Sequence, residues 1–261
     1  MKPLPLLATL AALVFVRSHL SAAEVTVRPG EGSETPLARA IAAADAGDTL
    51  ILEAGVFHEH VRVDKALALR SKPGAILDGA TPLGVVWEKA ADLPGVYVAE
   101  SGKRPEGLLA KDRFVAEIRF DRARKDGDWH WKTLLAQGTP LSGFAQVRAL
   151  WMYHPEEKQI YLRLENGESP ENFALSVVMS SKPLLEIAAA GVEVDGLTFR
   201  AGSEAVVLTD GAQNSIVRRC QVTSYEGGGI VITGGASACT IEDCEITRGA
   251  FEEWRPSEEN R

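Results

Sequence analysis

The chain has 261 residues, of which 45% are hydrophobic, 7% aromatic and 25% charged, with 28 Lys plus Arg against 36 Asp plus Glu and a formal charge of −8. That apolar content suits a folded globular protein and is too high for a disordered one. The acidic balance argues against general nucleic-acid binding, which needs a cationic face for phosphate. The 24 Gly and 13 Pro suit many turns rather than long helices.

The N-terminus has the pattern of an export signal. Lys2 gives a short positive start, Leu4 to Val16 form an apolar run interrupted by Pro5 and Thr9, and Ser21-Ala22-Ala23 offers small residues for cleavage. That run falls short of the ~20 apolar residues a membrane-spanning helix needs, and no later run approaches this length. A retained anchor is the alternative. Residues 1–23 are expected to be a signal peptide whose loss takes Lys2 and Arg17 with it, moving the charge from −8 to −10. The mature protein is then secreted, periplasmic or cell-surface, with no membrane span.

Thr35-Pro36 followed by Leu37, Ile41 and Ala44 predicts one amphipathic helix. Thr35 would cap it, Pro36 would take the first helical position, and Gly47 would end it. Short strands are expected at 48–52, 60–63 and 66–69, with turns at Ala54-Gly55, Asp64-Lys65 and Lys72-Pro73-Gly74. Residues 80–183 follow a different pattern. They hold four of the five Trp (Trp87, Trp129, Trp131, Trp151) and no clear helical period. Within them 149–153 and 159–164 flank His154-Pro155-Glu156-Glu157-Lys158 and predict a β-hairpin.

From residue 184 the sequence repeats. Residues 191–199, 214–222 and 238–246 align at offsets of 23 and 24, and Val206-Val-Leu-Thr-Asp-Gly-Ala212 aligns with Ile230-Val-Ile-Thr-Gly-Gly-Ala236. Such a period, with β-branched strands and no helix, marks a β-solenoid. Val194, Val217 and Ile241 form one apolar column, and Phe199, Val222 and Ile246 form another. Asp195, Arg218 and Glu242 make an outward column of alternating sign, and Arg219 aligns with Asp243. Leu197, Cys220 and Cys244 share a narrow interior column, where a small thiol fits. Stacked neighbours lie ~4.8 Å apart, so a Cys220–Cys244 disulfide and two free buried thiols are both geometrically open, the thiols being favoured. With Cys239 the Cys count is odd, and no His stands at metal-ligand spacing.

The run Leu37-Ala-Arg-Ala-Ile-Ala-Ala-Ala-Asp-Ala-Gly-Asp-Thr-Leu-Ile-Leu-Glu-Ala-Gly-Val-Phe57 resembles the opening of right-handed parallel β-helix proteins of the pectin lyase-like superfamily. Leu67 to Gly79 and Val194-Asp-Gly-Leu-Thr-Phe199 resemble the same proteins. The opening is similar to that of the alginate lyase and chondroitinase B family, which carries no insertion at 80–183. The resemblance implies an all-β, right-handed parallel β-helix: an N-terminal helical cap and first windings over 24–79, an inserted small all-β subdomain over 80–183, further windings over 184–250, and a charged tail over 251–261. The tail shows no capping pattern, so the chain is expected to be the front part of a longer protein.

The resemblance also implies work on polysaccharide, as a lyase on an acidic, uronate-containing glycan. A glycoside hydrolase on the same scaffold and a non-catalytic glycan-binding or surface-adhesion solenoid are the alternatives. The polygalacturonase signatures Asn-Thr-Asp, Asp-Asp and Gly-His-Gly are absent, and the lyases' paired Lys and Arg have no recognisable context. Glu226, in an expected turn before Gly227-Gly228-Gly229, and Arg248, after the last strand, fit no charge column. They are candidates for the catalytic base or acid and the uronate clamp; otherwise they are a solvated acid and a stacked cation. Between Lys103 and Lys132 nine Lys or Arg face six Asp or Glu, so Arg124, Trp129 and Trp131 are candidate sugar contacts. The alternative has Trp129 and Trp131 alternating on a strand and packing on the solenoid as core. No metal or cofactor is expected: Asp210, Glu226 and Glu245 could be imagined around calcium, without supporting spacing. The partner is polysaccharide rather than nucleic acid, and the sequence is silent on oligomeric state.

Overall fold

The computed structural model describes residues 22–110, 113–118, 130–137, 149–164 and 167–249. The expected export signal through Ser21, Arg124, Trp129 and the tail 251–261 lie outside these residues. The described chain winds into a parallel β-helix with three faces. The first face stacks Glu24–Val27, Thr49–Leu52, Ala68–Ser71, Glu193–Asp195, Ile216–Arg218 and Thr240–Glu242, all parallel. The second stacks Gly55–Phe57, Ala75–Asp78, the starts of the long strands Thr198–Leu208 and Gln221–Ile232, and Glu245–Gly249. The third stacks Val61–Val63, Leu185–Ile187 and the ends of the same two long strands.

Strand alternation puts one side of each winding inside. Leu50, Leu69, Val194 and Val217 form one fully buried column, ending on Ile241 at 37% exposed. Phe57, Leu77, Phe199 and Val222 form another, ending on Ile246 at 43%. Both registers are those the repeat alignment predicted. Parallel windings need left-handed backbone at their corners, and the repeat supplies it at fixed offsets: Gly196, Arg219 and Asp243 are at φ 74°, 51° and 51°. At Arg219 and Asp243 the corner conformation is held in spite of a Cβ, and the Arg219 N–H donates to the Glu242 carbonyl of the next winding at 3.1 Å.

The helix Pro36–Ala43 buries Leu37 and Ile41 against the solenoid's first windings. It stops four residues before Gly47, which instead donates its N–H to the Ala66 carbonyl at 2.7 Å. Thr35 makes no side-chain capping bond. The cap is the buried carboxylate of Glu59, which accepts from the N–H groups of Leu37 at 2.9 Å and Ala38 at 2.8 Å. A carboxylate is the stronger acceptor and also complements the positive helix end, so the distant residue displaces the local hydroxyl. Asp48 ties the first strand down similarly, accepting from Ala23 N–H at 2.7 Å and Asp45 N–H at 2.9 Å. These backbone donors, Ala23 foremost, hold its carboxyl below the usual range.

The insertion leaves the solenoid after Asp78 and rejoins it at Leu184, so it replaces one corner between the second and third faces. In the next winding that corner is Ala201 to Ala205, inside one bent strand. Gly79 and Leu184, the insertion's two roots, press on this corner. A Cβ on Gly79 would collide with the Ala201 carbonyl, and one on Gly202 would lie 2.9 Å from Leu184 Cγ. The insertion is two antiparallel sheets. One runs Arg113–Phe114, Gly107–Ala110, Leu175–Val178, Ala80–Pro82; the other runs Leu150–His154, Gln159–Arg163, Tyr97–Glu100, Glu88–Lys89. In the second sheet Ala116–Glu117 lies parallel to Leu150–His154. The expected hairpin is present. The insertion is not wholly β, because Trp131–Gln137 is a helix where alternation on a strand was expected. Leu134 and Leu135 turn with Trp131 toward one apolar cluster, a helical rather than a strand period.

Candidate functional site

The three outward faces differ in what their side chains leave available. On the first face, Asp195, Arg218 and Glu242 stand in register, as the aligned charges predicted. Arg218 is paired with both Glu193 and Asp195, the latter at 3.1 Å through Nε. Arg219 reaches back to Asp195 rather than lying against Asp243, because the left-handed corner turns it toward the preceding winding. The third face opens with the Arg62–Glu186 pair and continues with Val207 and Val231.

The second face is polar along its outward side. Thr198 and Arg200, then Gln221 and Thr223, then Glu245 and Thr247 alternate with the inward Phe199, Val222 and Ile246. Gln221 donates its amide to Glu245 at 3.4 Å, one winding on. Arg200 lies over Asp78, donating through Nε at 2.8 Å. Beside this face stands the insertion, whose Ala80, Leu109 and Val178 pack on Ala201 at the corner.

Glu226 and Arg248 both fall at that corner. The glycines after Glu226 do not form a free turn; the segment belongs to the paired strand Gln221–Ile232, and Arg248 lies within Glu245–Gly249. Close packing explains the glycines, since a Cβ on Gly229 would stand 2.8 Å from Ile246 Cγ2. Tyr225 pairs with Gly249, so the backbone brings Glu226 and Arg248 onto adjacent windings. Glu204 pairs with Gly228 across a register shift and brings a second acidic residue to the same corner.

The other candidates are not gathered there. Trp131 is 5% exposed inside the insertion, with Tyr161 at 4.9 Å, His154 at 5.5 Å and His130 at 5.7 Å between ring centroids. It is core of the insertion itself, neither packed on the solenoid nor open for stacking on a sugar. Burial and the Glu157 carboxylate, to which Tyr161 donates at 2.6 Å, push that phenol above its ordinary range. Asp210, Glu226 and Glu245 do not converge. Asp210 sits where the third face turns to the first and accepts the Gly235 N–H, while Glu245 lies on the second face. Among the described residues no three His, Cys, Asp or Glu side chains cluster as metal ligands. The cysteines are free thiols. Burial pushes the Cys220 thiol up to about 12.

Arg200, Gln221, Thr223 and Thr247 were not among the candidates in the sequence. Their signal was present in the aligned strands, as the outward positions alternating with the apolar column.

No family model matches this chain, and no curated protein does. Among solved structures, the chain is similar to XylC, determined in complex with xylose. The identity is 13% and the TM-score 0.54, over 90% of this chain and 55% of XylC. The chain thus spans about half the length of that neighbour, and the likeness carries the β-helix fold.

Proposed function

We propose that this protein acts on polysaccharide along the outward side of the second face, as a lyase on an acidic, uronate-containing glycan. The polar ladder Thr198, Arg200, Gln221, Thr223, Glu245, Thr247 carries this reading, with Glu245 held by the Gln221 amide. It is a run of hydroxyl, amide, guanidinium and carboxylate groups, flanked by the insertion and ending at the corner that holds Glu226 and Arg248. The fold it shares with XylC, a protein solved with a bound sugar, supports the choice of ligand class. In this reading Glu226 takes the proton from the uronate carbon beside the carboxylate, and Arg248 neutralises that carboxylate as negative charge develops. The glycosidic C–O bond then breaks, the leaving oxygen takes up a proton, and the new non-reducing end carries a double bond. Arg124 and Trp129 of the insertion are proposed as further sugar contacts, and export through residues 1–23 would place the protein with its substrate.

Incubation with alginate, polygalacturonate and chondroitin tests the proposal. A rise in near-ultraviolet absorbance that Glu226→Gln abolishes is the expected result. New reducing ends without that absorbance would replace it with hydrolysis, a second reading favoured by Glu204 and Glu226 on neighbouring windings, since hydrolysis needs two carboxylates. Binding with neither product would make the solenoid a non-catalytic glycan binder.

A further inference from the structure

We infer that Arg200 is the residue with which the second face recognises a carboxylate on its glycan, and that Asp78 is the residue that positions it. This rests on the polysaccharide reading above and names the group that reads the charge. Arg200 and Asp78 are direct partners on successive windings, both on the outward side of their strands. Nε and Nη2 of Arg200 donate to the same Asp78 oxygen, Oδ2, at 2.8 and 2.5 Å. The other oxygen, Oδ1, accepts the Ala80 N–H at 2.9 Å, at the root of the insertion. Both carboxylate oxygens are therefore engaged, and the Asp78 side chain is 4% exposed.

The guanidinium is used differently. Its side chain is 39% exposed, and Nη1 has no partner among the described residues. Arg218 on the first face is instead shared between two carboxylates and has less to offer a ligand. A guanidinium anchored through two N–H groups on a buried acid keeps its plane fixed while presenting its remaining donors. That is the preorganised form of a carboxylate-binding arginine, and a lysine cannot reproduce it. Thr223, the partner of Arg200 on the next winding, places a hydroxyl beside it for a neighbouring sugar oxygen.

The test compares binding of polygalacturonate with binding of its fully methyl-esterified form, which keeps the backbone and removes the charge. The wild-type protein is expected to prefer the charged polymer. Arg200→Gln should weaken binding of that form by about tenfold or more, the loss of one charge-assisted hydrogen-bonded pair, and leave the ester unaffected. Asp78→Asn should erode the same preference in a folded protein. Should Arg200→Gln fail to fold, Arg200→Lys keeps a charge against Asp78, and its loss of preference makes the same comparison. An unchanged ratio of charged to esterified binding in a folded variant overturns the role of Arg200 and leaves the polysaccharide reading standing. Wild-type protein that binds neither of these polymers, nor alginate, nor chondroitin, overturns both.

Discussion

The solenoid buries one continuous apolar core and its insertion two smaller clusters, by opposite routes. In the solenoid each inward side chain meets its own counterpart one winding away, at offsets such as Val194 to Val217 and Val217 to Ile241. In the insertion the partners are unrelated in sequence and scattered: Gly107 pairs with Val178, and the Trp151 indole donates to the Val115 carbonyl at 3.0 Å. A chain that stacks on itself states its register in its own repeat. A chain that closes antiparallel sheets across a hundred residues does not. The two regions meet at a narrow seam around Gly79, Leu184 and Ala201, so each is expected to keep its own stability.

Paired core truncations give the sharpest break of this comparison. Phe199→Ala in the solenoid and Trp151→Ala in the insertion should each cost about 3–5 kcal/mol of local stability, because both rings are fully buried. Hydrogen exchange separates them. Trp151→Ala should release amides of Leu150–His154 and Gln159–Arg163 while Val194 and Val217 stay protected. Equal loss in both regions would mean one cooperative unit.

At the seam, Gly79→Ala is expected to destabilise by about 1–3 kcal/mol, as its Cβ meets backbone that cannot yield. Urea midpoints at the insertion and the solenoid should both fall. A shift in only one would show that the new Cβ strains that region alone.

Within the solenoid, Glu59→Gln should cost about 1 kcal/mol, the scale of a lost helix cap. The amide keeps one acceptor for Leu37 or Ala38 but not both. Thr35→Ala should be neutral, and a larger effect from Thr35 would reverse the capping assignment.

The smallest effect is a pH dependence at Asp48. Its folded pKa is depressed, so its contribution is complete above about pH 3.9, the unfolded value, and vanishes as pH falls through the lower folded value. The stability gap between wild type and Asp48→Asn should therefore close on acidification and stay constant from neutral pH down to about pH 5. A gap that widens in acid would contradict the bonds from Ala23 and Asp45.

The windings, the apolar columns and the charge ladder on the first face were legible because adjacent windings are copies, and alternation within a copy tells inside from outside. The corner was not. Gly227 to Gly229 looked like a free turn, and only the approach of the Ser203 carbonyl, Val231 and Ile246 shows why side chains are excluded there. Trp131 looked like strand because its neighbour Trp129 stood two residues away, whereas packing of Leu134 and Leu135 made the segment helical. Arg200 went unnoticed, since its aligned partner Asp78 lies 122 residues earlier, across the insertion.

The sequence by itself determined the parallel β-helix: a repeat of 23 to 24 residues with apolar strands has few other ways to bury its inward side chains while pairing every backbone. Tertiary structure alone decided that Arg200 lies on Asp78 with an open edge and that Arg219 reaches back to Asp195. It also decided that Glu226 and Arg248 share a corner beside the insertion. Those outcomes depend on which winding lies against which, a matter of three-dimensional packing that no local pattern encodes.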